Sequence, residues 1–316
     1  MLILLNPVVG LGLVLGLMMD GITVNVLSLF DGMSCGQIAL ERAGIKVDNY
    51  WASEIDKYAI KVTQENYPNT KQLGPVEDIE WFPTQSDPHY YGSDVVRYPD
   101  VDLLLAGSPC QGFSFSGQRL AFDDPRSKLY FEFERLLRQT KPKWWLLENV
   151  KMTEQHRLII SQRLGVDAIE INSALVSGQN RKRYYWTNIP FDMPKDKGIH
   201  WRDVIGVDDN AYIIGKGRGK RKHGPVRNQE KTPTLTSSSW ECNHWIEWDE
   251  TWNNGMKKTY SPENKMRFLP HHFEALQTVP EHYTACVSDL QRYKMLGNGW
   301  TVDVIAHILR GIKDGN

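Results

Sequence analysis

The alternation of short apolar segments with segments of helical periodicity, which begins at Thr23, constrains the fold more than any other feature of this sequence. Four of the apolar segments end in a turn signal, and such runs are typical of strands buried on both faces of a parallel sheet. They span residues 23–29, 49–54, 101–107 and 144–150. The pattern predicts a doubly wound α/β domain, in which ligands bind beyond the carboxyl ends of the strands.

Helices are expected between these strands. Residues 36–43 form the first, which Gly44 ends because glycine adopts the left-handed conformation without strain. Asp56 caps the second, which runs towards Tyr67. A third places four apolar side chains on one face, namely Leu129, Phe133, Leu136 and Leu137. Two closing strands and a final amphipathic helix complete the predicted domain, at residues 168–176, 183–187 and 300–313.

The pattern of the sequence changes after Pro190: strong hydrophobic periodicity gives way to a segment rich in Gly, Lys, Trp and Asn. Residues 190–289 are therefore predicted to form a smaller, loop-rich domain, inserted into a larger domain of residues 21–189 and 290–316. A chain of 316 residues is long enough for this arrangement. The formal net charge is −1, so any surface for nucleic acid has to be local.

The first 19 residues are almost wholly apolar, interrupted by Asn6 and Pro7. An upstream extension, with initiation at Met18 or Met19, is the favoured interpretation of residues 1–20, and a membrane anchor is the alternative. The four cysteines are far apart and form no C-x-x-C pair, which speaks against a disulfide framework or a zinc site and favours a cytoplasmic protein. They are Cys35, Cys110, Cys242 and Cys286.

A glycine-bearing turn, FDGMSCG at residues 30–36, joins the first strand to the first helix. Glycines let the backbone approach a ligand closely, and the start of a helix favours negative charge. Glu54 follows at the tip of the second strand, where a carboxylate can accept hydrogen bonds from the ribose of a nucleoside cofactor. Asp78, at the predicted end of a third strand, could accept an adenine amino group. Gly32 and Gly36 as simple turn residues are the alternative, and spacing alone leaves both open.

Two residues are candidates for covalent and acid chemistry at the same edge. Cys110 follows a buried strand in GSPCQGFS, where proline and glycine keep it out of regular structure, so it is a candidate nucleophile on a loop that can close over substrate. A small buried apolar residue is the alternative role. Glu148, at the end of the strand WWLLENV, is placed to donate a proton to a ring nitrogen. Capping of the following turn is its alternative.

Arg181 and Arg183 alternate in the extended stretch QNRKR, so their side chains share a face. Two guanidiniums on one face suit a phosphate and a base carbonyl. A solvated basic turn is the alternative.

In this order, the motifs resemble those of the C5-cytosine DNA methyltransferase family: FDGMSCG, SEIDKYA, GSPCQGFSFSG, ENV, QNRKRYYW, TPTLTSS and MLGNGWTVDVIAHIL. The match runs from Val24 to about Ile312, and the combination of PCQGFS, ENV and Q-x-R-x-R is highly specific. The stretch before ENV and the aromatic YYWTN are most similar to phage and bacterial relatives of the eukaryotic de novo enzymes. Gly299 departs from the family, which usually has Ser after the asparagine of the last motif.

The resemblance implies a Rossmann-like methyltransferase domain that binds S-adenosylmethionine, with a smaller target-recognition domain. Cys110 would be the nucleophile towards a flipped cytosine, and Glu148 the acid at N3 and the exocyclic amine. Arg183 would contact the base carbonyl, and Arg181 would steady the loop or a phosphate. The implied cofactor-binding residues are Phe30, Asp31, Gly32, Met33, Ser34, Gly36, Glu54, Ile55, Asp78, Ile79, Asn298 and Trp300.

Double-stranded DNA is the implied partner, and no stable membrane association is expected. A cytosine-5 methyltransferase acting on tRNA is the alternative, while an inactive relative is disfavoured because nucleophile and acid are both present. Whether a cognate restriction endonuclease accompanies the chain is left open. Phosphate contacts, which fix register, are expected mainly from the basic run after Gly215. The expected DNA-binding residues are Ser114, Gln118, Lys216, Arg218, Lys220, Arg221 and Lys222.

Overall fold

The computed structural model describes residues 22–82, 98–107, 128–214, 229–238, 245–248 and 265–312. Seven strands form the larger sheet: β1 (Thr23–Leu29), β2 (Lys46–Ser53), β3 (Lys71–Gln72), β4 (Leu103–Gly107), β5 (Trp144–Val150), β6 (Ile169–Asn172) and β7 (Lys182–Thr187). Three form a second sheet: β8 (Ala211–Ile214), β9 (Trp245–Trp248) and β10 (Lys265–Arg267). The described helices are α1 (Cys35–Ala43), α2 (Lys57–Asn66), α3 (Lys128–Thr140), α4 (Glu154–Leu164), α5 (Trp201–Ile205), α6 (Pro270–Leu276), α7 (Asp289–Asn298) and α8 (Val302–Leu309).

The larger sheet has the strand order β3-β2-β1-β4-β5-β7-β6. Strands β3, β2, β1, β4 and β5 are parallel, and β7 is antiparallel to both of its neighbours. The order reverses between β1 and β4, and in open α/β sheets ligands bind at the carboxyl ends of the strands beside such a switch point. The predicted doubly wound α/β fold is confirmed.

Alternating side chains of the central strands enter two apolar clusters, one on each face of the sheet. On β1, Val24 and Val26 belong to the first cluster, whereas Leu27 and Leu29 belong to the second. Helices α1 and α8 cover the first face, and α3 and α4 cover the second. The predicted apolar face of α3 is confirmed, because all four of its residues pack in the second cluster.

Local signals set several helix ends as predicted. The Asp56 carboxylate accepts hydrogen bonds from the backbone N–H groups of Tyr58 and Ala59 at the start of α2. Gly44 ends α1 with a φ of 76°, in the left-handed region that favours glycine. Within the described residues, no helix is long and apolar enough to cross a bilayer.

Other predicted bounds were wrong. β2 begins at Lys46, because its pairing with β1 extends to Thr23. The strand predicted at 168–176 stops at Asn172, whose side chain accepts the N–H of Ala174 and starts a 3₁₀ turn. The final helix begins at Val302 and not at residue 300.

Residues 190–289 contain the second sheet, which is antiparallel in the order β10-β9-β8, and helices α5 and α6. Phe273 on α6 and Val304 on α8 belong to the same apolar cluster, so this part packs on the first face of the larger sheet. The division at residues 189 and 290, and a target-recognition role for the segment between them, remain predictions.

Candidate active site

The turn after β1 has an unusual backbone. Phe30, Gly32 and Ser34 all have positive φ, at 56°, 61° and 62°. Two of these residues are not glycine, and such conformations cost energy that the surrounding structure must offset, which is why they concentrate at functional sites. Five of the twelve predicted cofactor residues lie in this turn, at residues 30–34.

Asp31 anchors the turn. One of its carboxylate oxygens accepts the Tyr50 hydroxyl at 2.7 Å, and the other accepts the Ser34 hydroxyl at 2.5 Å. Burial raises the pKa of Asp31 to about 6, against the lowering effect of the hydroxyl donors around it. Its side chain therefore holds the turn in shape from inside the site.

Glu54 lies directly after β2, as predicted, and its carboxylate is oriented by backbone donors. Oε2 accepts the N–H of Gly32 at 2.7 Å, while Oε1 accepts those of Ile55 and Asp56 at 2.7 and 2.8 Å. These bonds tie the tip of β2 to the turn after β1. Oε1 already accepts two donors, whereas Oε2 has a second lone pair with which it can accept a hydroxyl.

The remaining residues predicted on this side of the cofactor fall into two groups. Ile55 is 75% exposed, and Asp78 is exposed as well. Met33 and Ile79 are buried in the core, so a ligand contact from either would come from its backbone. Asp78 does not end a strand as predicted: it ends a 3₁₀ turn that begins at Val76, beyond the two-residue strand β3.

Glu148 is buried and its carboxylate is held from two sides. Arg183 Nε lies 3.0 Å from Oε1, with only 13% of the Arg183 side chain exposed. The indole N–H of Trp300 donates to Oε2 at 3.2 Å. Glu148 is thus placed in an ion pair within the sheet, and the turn-capping alternative has no support in these contacts.

Trp300 packs where the two halves of the sheet meet. A β-carbon at Gly107 would lie 2.7 Å from its indole nitrogen, and one at Gly36 would lie 3.7 Å from its ring. The tryptophan therefore connects the end of β4, the start of α1 and the Glu148 carboxylate.

The Arg181 guanidinium is buried and bonded to backbone carbonyls. It donates to Leu235 at 2.7 Å, Gly297 at 3.2 Å and Gly299 at 2.8 Å. Burial and the nearby charge of Arg183 lower its pKa. Of the two roles implied for Arg181, this arrangement favours that of steadying a loop, here the segment between α7 and α8.

That segment is closely packed. A β-carbon at Gly297 would lie 2.2 Å from the Thr236 carbonyl carbon, so two backbones are in direct contact there. At Gly299 a β-carbon would approach Met33 Cε at 3.2 Å. The glycine that departs from the family pattern therefore lies over the Met33 side chain. Asn298, between them, is exposed.

Several predicted residues lie outside the described part of the chain. The nucleophile candidate Cys110 is among them, but Gly107, three residues before it, is the register partner of Glu148 on the adjacent strand. The chain therefore leaves β4 towards Cys110 beside the buried carboxylate. The predicted DNA contacts also lie outside the described residues: Ser114, Gln118, Lys216, Arg218, Lys220, Arg221 and Lys222.

The sequence analysis assigned no role to two buried glutamines that support the site. Gln179 donates to the Leu276 carbonyl and to Oε1 of Gln277, both at 2.8 Å. The Gln277 amide donates in turn to the carbonyls of Leu296 and Gly299. Gln179 is the first residue of the Q-x-R-x-R motif, which was a signal for its importance. No local pattern marks Gln277.

The fold and the site define the class of this protein as a doubly wound α/β domain with a candidate binding site at the carboxyl ends of its parallel strands. Among solved structures, the methyltransferase EhMeth of Entamoeba histolytica is similar with a TM-score of 0.66 at 17% identity, over 92% of this chain and 97% of the other. At that identity the likeness concerns the fold.

The sequence comparisons are more specific. Residues 24–162 and 172–314 match the family model described as C-5 cytosine-specific DNA methylase. The Type II methyltransferase M1.ScrFI of Lactococcus lactis subsp. cremoris is 30% identical over 311 residues, or 89% of this chain and 75% of the relative. The Type II methyltransferase M.NlaX of Neisseria lactamica is 28% identical over 313 residues, or 91% and 96%. The chain belongs to the C-5 cytosine-specific DNA methylase family, which confirms the predicted family and disfavours the RNA alternative.

Proposed function

We propose that this chain methylates carbon 5 of a flipped cytosine in double-stranded DNA, with S-adenosylmethionine as donor and Cys110 as nucleophile. The observation that carries the proposal is the buried pair of Glu148 and Arg183, 3.0 Å apart, beside the strand end from which the chain continues to Cys110. A carboxyl group and a guanidinium fixed at this edge of the sheet suit two atoms of a pyrimidine. The carboxyl group can bond a ring nitrogen, and the guanidinium can bond a carbonyl oxygen.

The residues at the neighbouring strand ends fit S-adenosylmethionine. The left-handed turn at residues 30–34 presents backbone to the site, and Glu54 retains a lone pair on Oε2 for a ribose hydroxyl. Ile55 is a large apolar side chain left 75% exposed beside Glu54, as expected of a surface that a flat base covers. When bound there, S-adenosylmethionine supplies an electrophilic methyl group. The residues that would hold it are 30–34, Gly36, 54–55 and 78–79, with Asn298 and Trp300.

The length of the intervening chain is compatible with the proposed role of Cys110. Consecutive Cα atoms are about 3.8 Å apart, so three peptide units can span at most about 11 Å. The last described residue before Cys110, Gly107, is paired with Glu148.

The chemistry requires this combination because carbon 5 of cytosine is a weak nucleophile. Addition of the Cys110 thiolate to carbon 6 moves electron density to carbon 5. Glu148 bonds N3 and the exocyclic amine while Arg183 balances charge on O2, so both stabilise the adduct. After methylation, a base takes the carbon 5 proton, the electron pair of that bond re-forms the double bond between carbons 5 and 6, and Cys110 leaves as the thiolate. Carbon 6 is inaccessible in stacked DNA, so the base must leave the helix, which costs a few kcal/mol.

The remaining proposals concern partners and place. Phosphates would be bound by the basic run at residues 216–222, and Ser114 and Gln118 would contact the DNA near the target base. Because two relatives are named Type II methyltransferases, we propose a cognate endonuclease as functional counterpart. The proposed compartment is the cytoplasm of a prokaryotic or phage-infected cell.

A methyl-transfer assay tests the function. Purified protein is incubated with radiolabelled S-adenosylmethionine and either unmethylated duplex DNA or tRNA, and the labelled nucleoside is identified. Label in 5-methylcytosine from DNA is expected, and bisulfite sequencing of the product then gives the target site. Label found only in tRNA, or on the exocyclic nitrogen, would contradict the proposal.

A further inference from the structure

Beyond the ion pair, the Glu148 carboxylate has a second partner whose role in the reaction has no assignment. We infer that Trp300 is a positioning residue, whose indole N–H holds Oε2 of Glu148 in the orientation in which the carboxyl meets the cytosine ring. This inference rests on the proposed function.

The hydrogen bond joins two buried side chains. Trp300 is 9% exposed and Glu148 is 7% exposed, and the donor and acceptor are 3.2 Å apart. Arg183 takes the other oxygen at 3.0 Å. With an N–H donor on one oxygen and the Arg183 guanidinium paired with the other, rotation of the carboxyl group about its bond is blocked, because turning it breaks both contacts. A catalytic group fixed in this way needs no reorganisation during the reaction.

The indole itself is fixed by its surroundings. Gly107 allows it to lie against the backbone of β4, because a β-carbon there would meet the indole nitrogen at 2.7 Å, and its ring also lies near Gly36 on α1. The buried Cys35 side chain lies against the preceding residue, because a β-carbon at Gly299 would be 3.5 Å from its sulfur. The next residue, Thr301, donates to Gln277 Oε1 and accepts from Ser173, both at 2.8 Å. The ring therefore has no room to swing, and its N–H points at Glu148.

The same position places Trp300 next to the proposed sites of both the methyl donor and the target base. Its ring approaches α1, which begins at the turn proposed to hold the methyl donor, and its nitrogen bonds the group proposed to hold the base. Ring packing and N–H donation are separable properties. A phenylalanine keeps an aromatic ring near the cofactor turn but has no donor.

The test compares Trp300→Phe with Trp186→Phe. Trp186 is also buried and donates its indole N–H, to Ser161 at 2.9 Å, on the opposite face of the sheet, so it controls for the loss of a buried indole bond. Single-turnover methylation of unmethylated genomic DNA is measured at saturating S-adenosylmethionine, and S-adenosylhomocysteine binding is measured by calorimetry.

For Trp300→Phe, the single-turnover rate is expected to fall about 10- to 100-fold, the value of a hydrogen bond to a charged group, while the Kd for S-adenosylhomocysteine changes less than about threefold. For Trp186→Phe, the rate should equal that of the wild type. In a Glu148→Ala background, Trp300→Phe should have no further effect, since no carboxyl remains to be oriented.

Three results would overturn the inference: an unchanged rate in Trp300→Phe, a loss of S-adenosylhomocysteine affinity as large as the loss of rate, or an undiminished loss of rate in the Glu148→Ala background. If Trp300→Phe does not fold, 3-benzothienylalanine at position 300 keeps the ring shape and replaces the N–H with sulfur, and the same rates decide. An active wild type with an unaffected variant refutes only the positioning role, whereas a wild type that methylates no DNA refutes the proposed function.

Discussion

Glu148 and Arg183 form an ion pair of 3.0 Å inside the sheet, with 10% and 13% of their side chains exposed. The pair joins β5 to the antiparallel strand β7, where Val150 is the register partner of Arg183. An ion pair at such depth is costly to break, because removing one partner leaves an uncompensated buried charge. The presence of this ion pair at the strand end next to Gly107 indicates a role in the reaction.

Glu148→Gln tests that role while preserving the shape of the side chain. The amide cannot act as an acid, so the methylation rate should fall about 10²- to 10⁴-fold, with the cofactor Kd changed less than about threefold. Rates and calorimetric affinities are measured together. Glu170→Gln is the control, because the ion pairs of that carboxylate within the described part of the chain are to exposed lysines, Lys151 and Lys182. If affinity falls as much as the rate, Glu148 has a structural role in the cofactor pocket.

Gly297→Ala and Gly299→Ala form a matched pair for the contact between α7 and the segment around Thr236. At position 297 the new methyl would meet backbone at 2.2 Å, whereas at 299 its neighbours include the flexible end of Met33 at 3.2 Å. Gly297→Ala is expected to lower the free energy of unfolding by about 1–3 kcal/mol, although alanine favours helix, and Gly299→Ala by less than about 1 kcal/mol. Calorimetric melting compares them. The reverse order would contradict this packing.

Asp31 predicts a pH dependence of stability. Its pKa is raised from 3.8 to about 6 in the folded protein, so the folded state binds the proton more tightly than the unfolded state. The stability that this group contributes is full below pH 3.8 and is lost as the pH rises through about 6. Asp31→Asn has no carboxyl group at this position, so it lacks this pH-dependent contribution to stability.

The Tm of Asp31→Asn relative to wild type should therefore rise between pH 5 and pH 7.5. Asp48→Asn, at an exposed aspartate on β2, should give a constant difference. A relative Tm of Asp31→Asn that falls over this range would mean that the folded protein lowers the pKa of Asp31.

The basic run after Gly215 predicts a salt dependence of DNA binding. A triple replacement of Lys220, Arg221 and Lys222 by Glu should weaken binding and reduce the slope of log K against log salt by about 3, roughly one for each lost phosphate contact. Binding to duplex DNA is measured between 50 and 200 mM salt, that is, over about the range in which such contacts weaken. An unchanged slope would exclude these residues from the interface.

Much of the fold could be predicted because its signals are local. β1 and β5 were predicted with their observed ends, since buried parallel strands are uninterrupted apolar runs bounded by turns. Gly44 and Asp56 marked helix ends through their own backbone and side-chain chemistry. The strand ends then brought Glu54 and Glu148 to one edge of the sheet.

The rest depended on contacts between distant parts of the chain. Trp300 was assigned to the last helix by its apolar neighbours, but Thr301 bonds to Gln277, and the helix starts only at Val302. The bond from Trp300 to Glu148 spans 152 positions. No pattern within either segment encodes it. Arg181 likewise meets carbonyls whose positions are set by the packing of α7.

The most direct test is to trap the reaction on duplex DNA that contains 5-fluorocytosine at the target site. Fluorine leaves no proton to remove from carbon 5, so an enzyme that adds a thiolate to carbon 6 stays attached to the base. With S-adenosylmethionine present, we expect a denaturation-resistant protein–DNA adduct whose peptide map places the bond at Cys110, and none with Cys110→Ala. An active enzyme that forms no such adduct, or an adduct that persists in Cys110→Ala, would contradict the account.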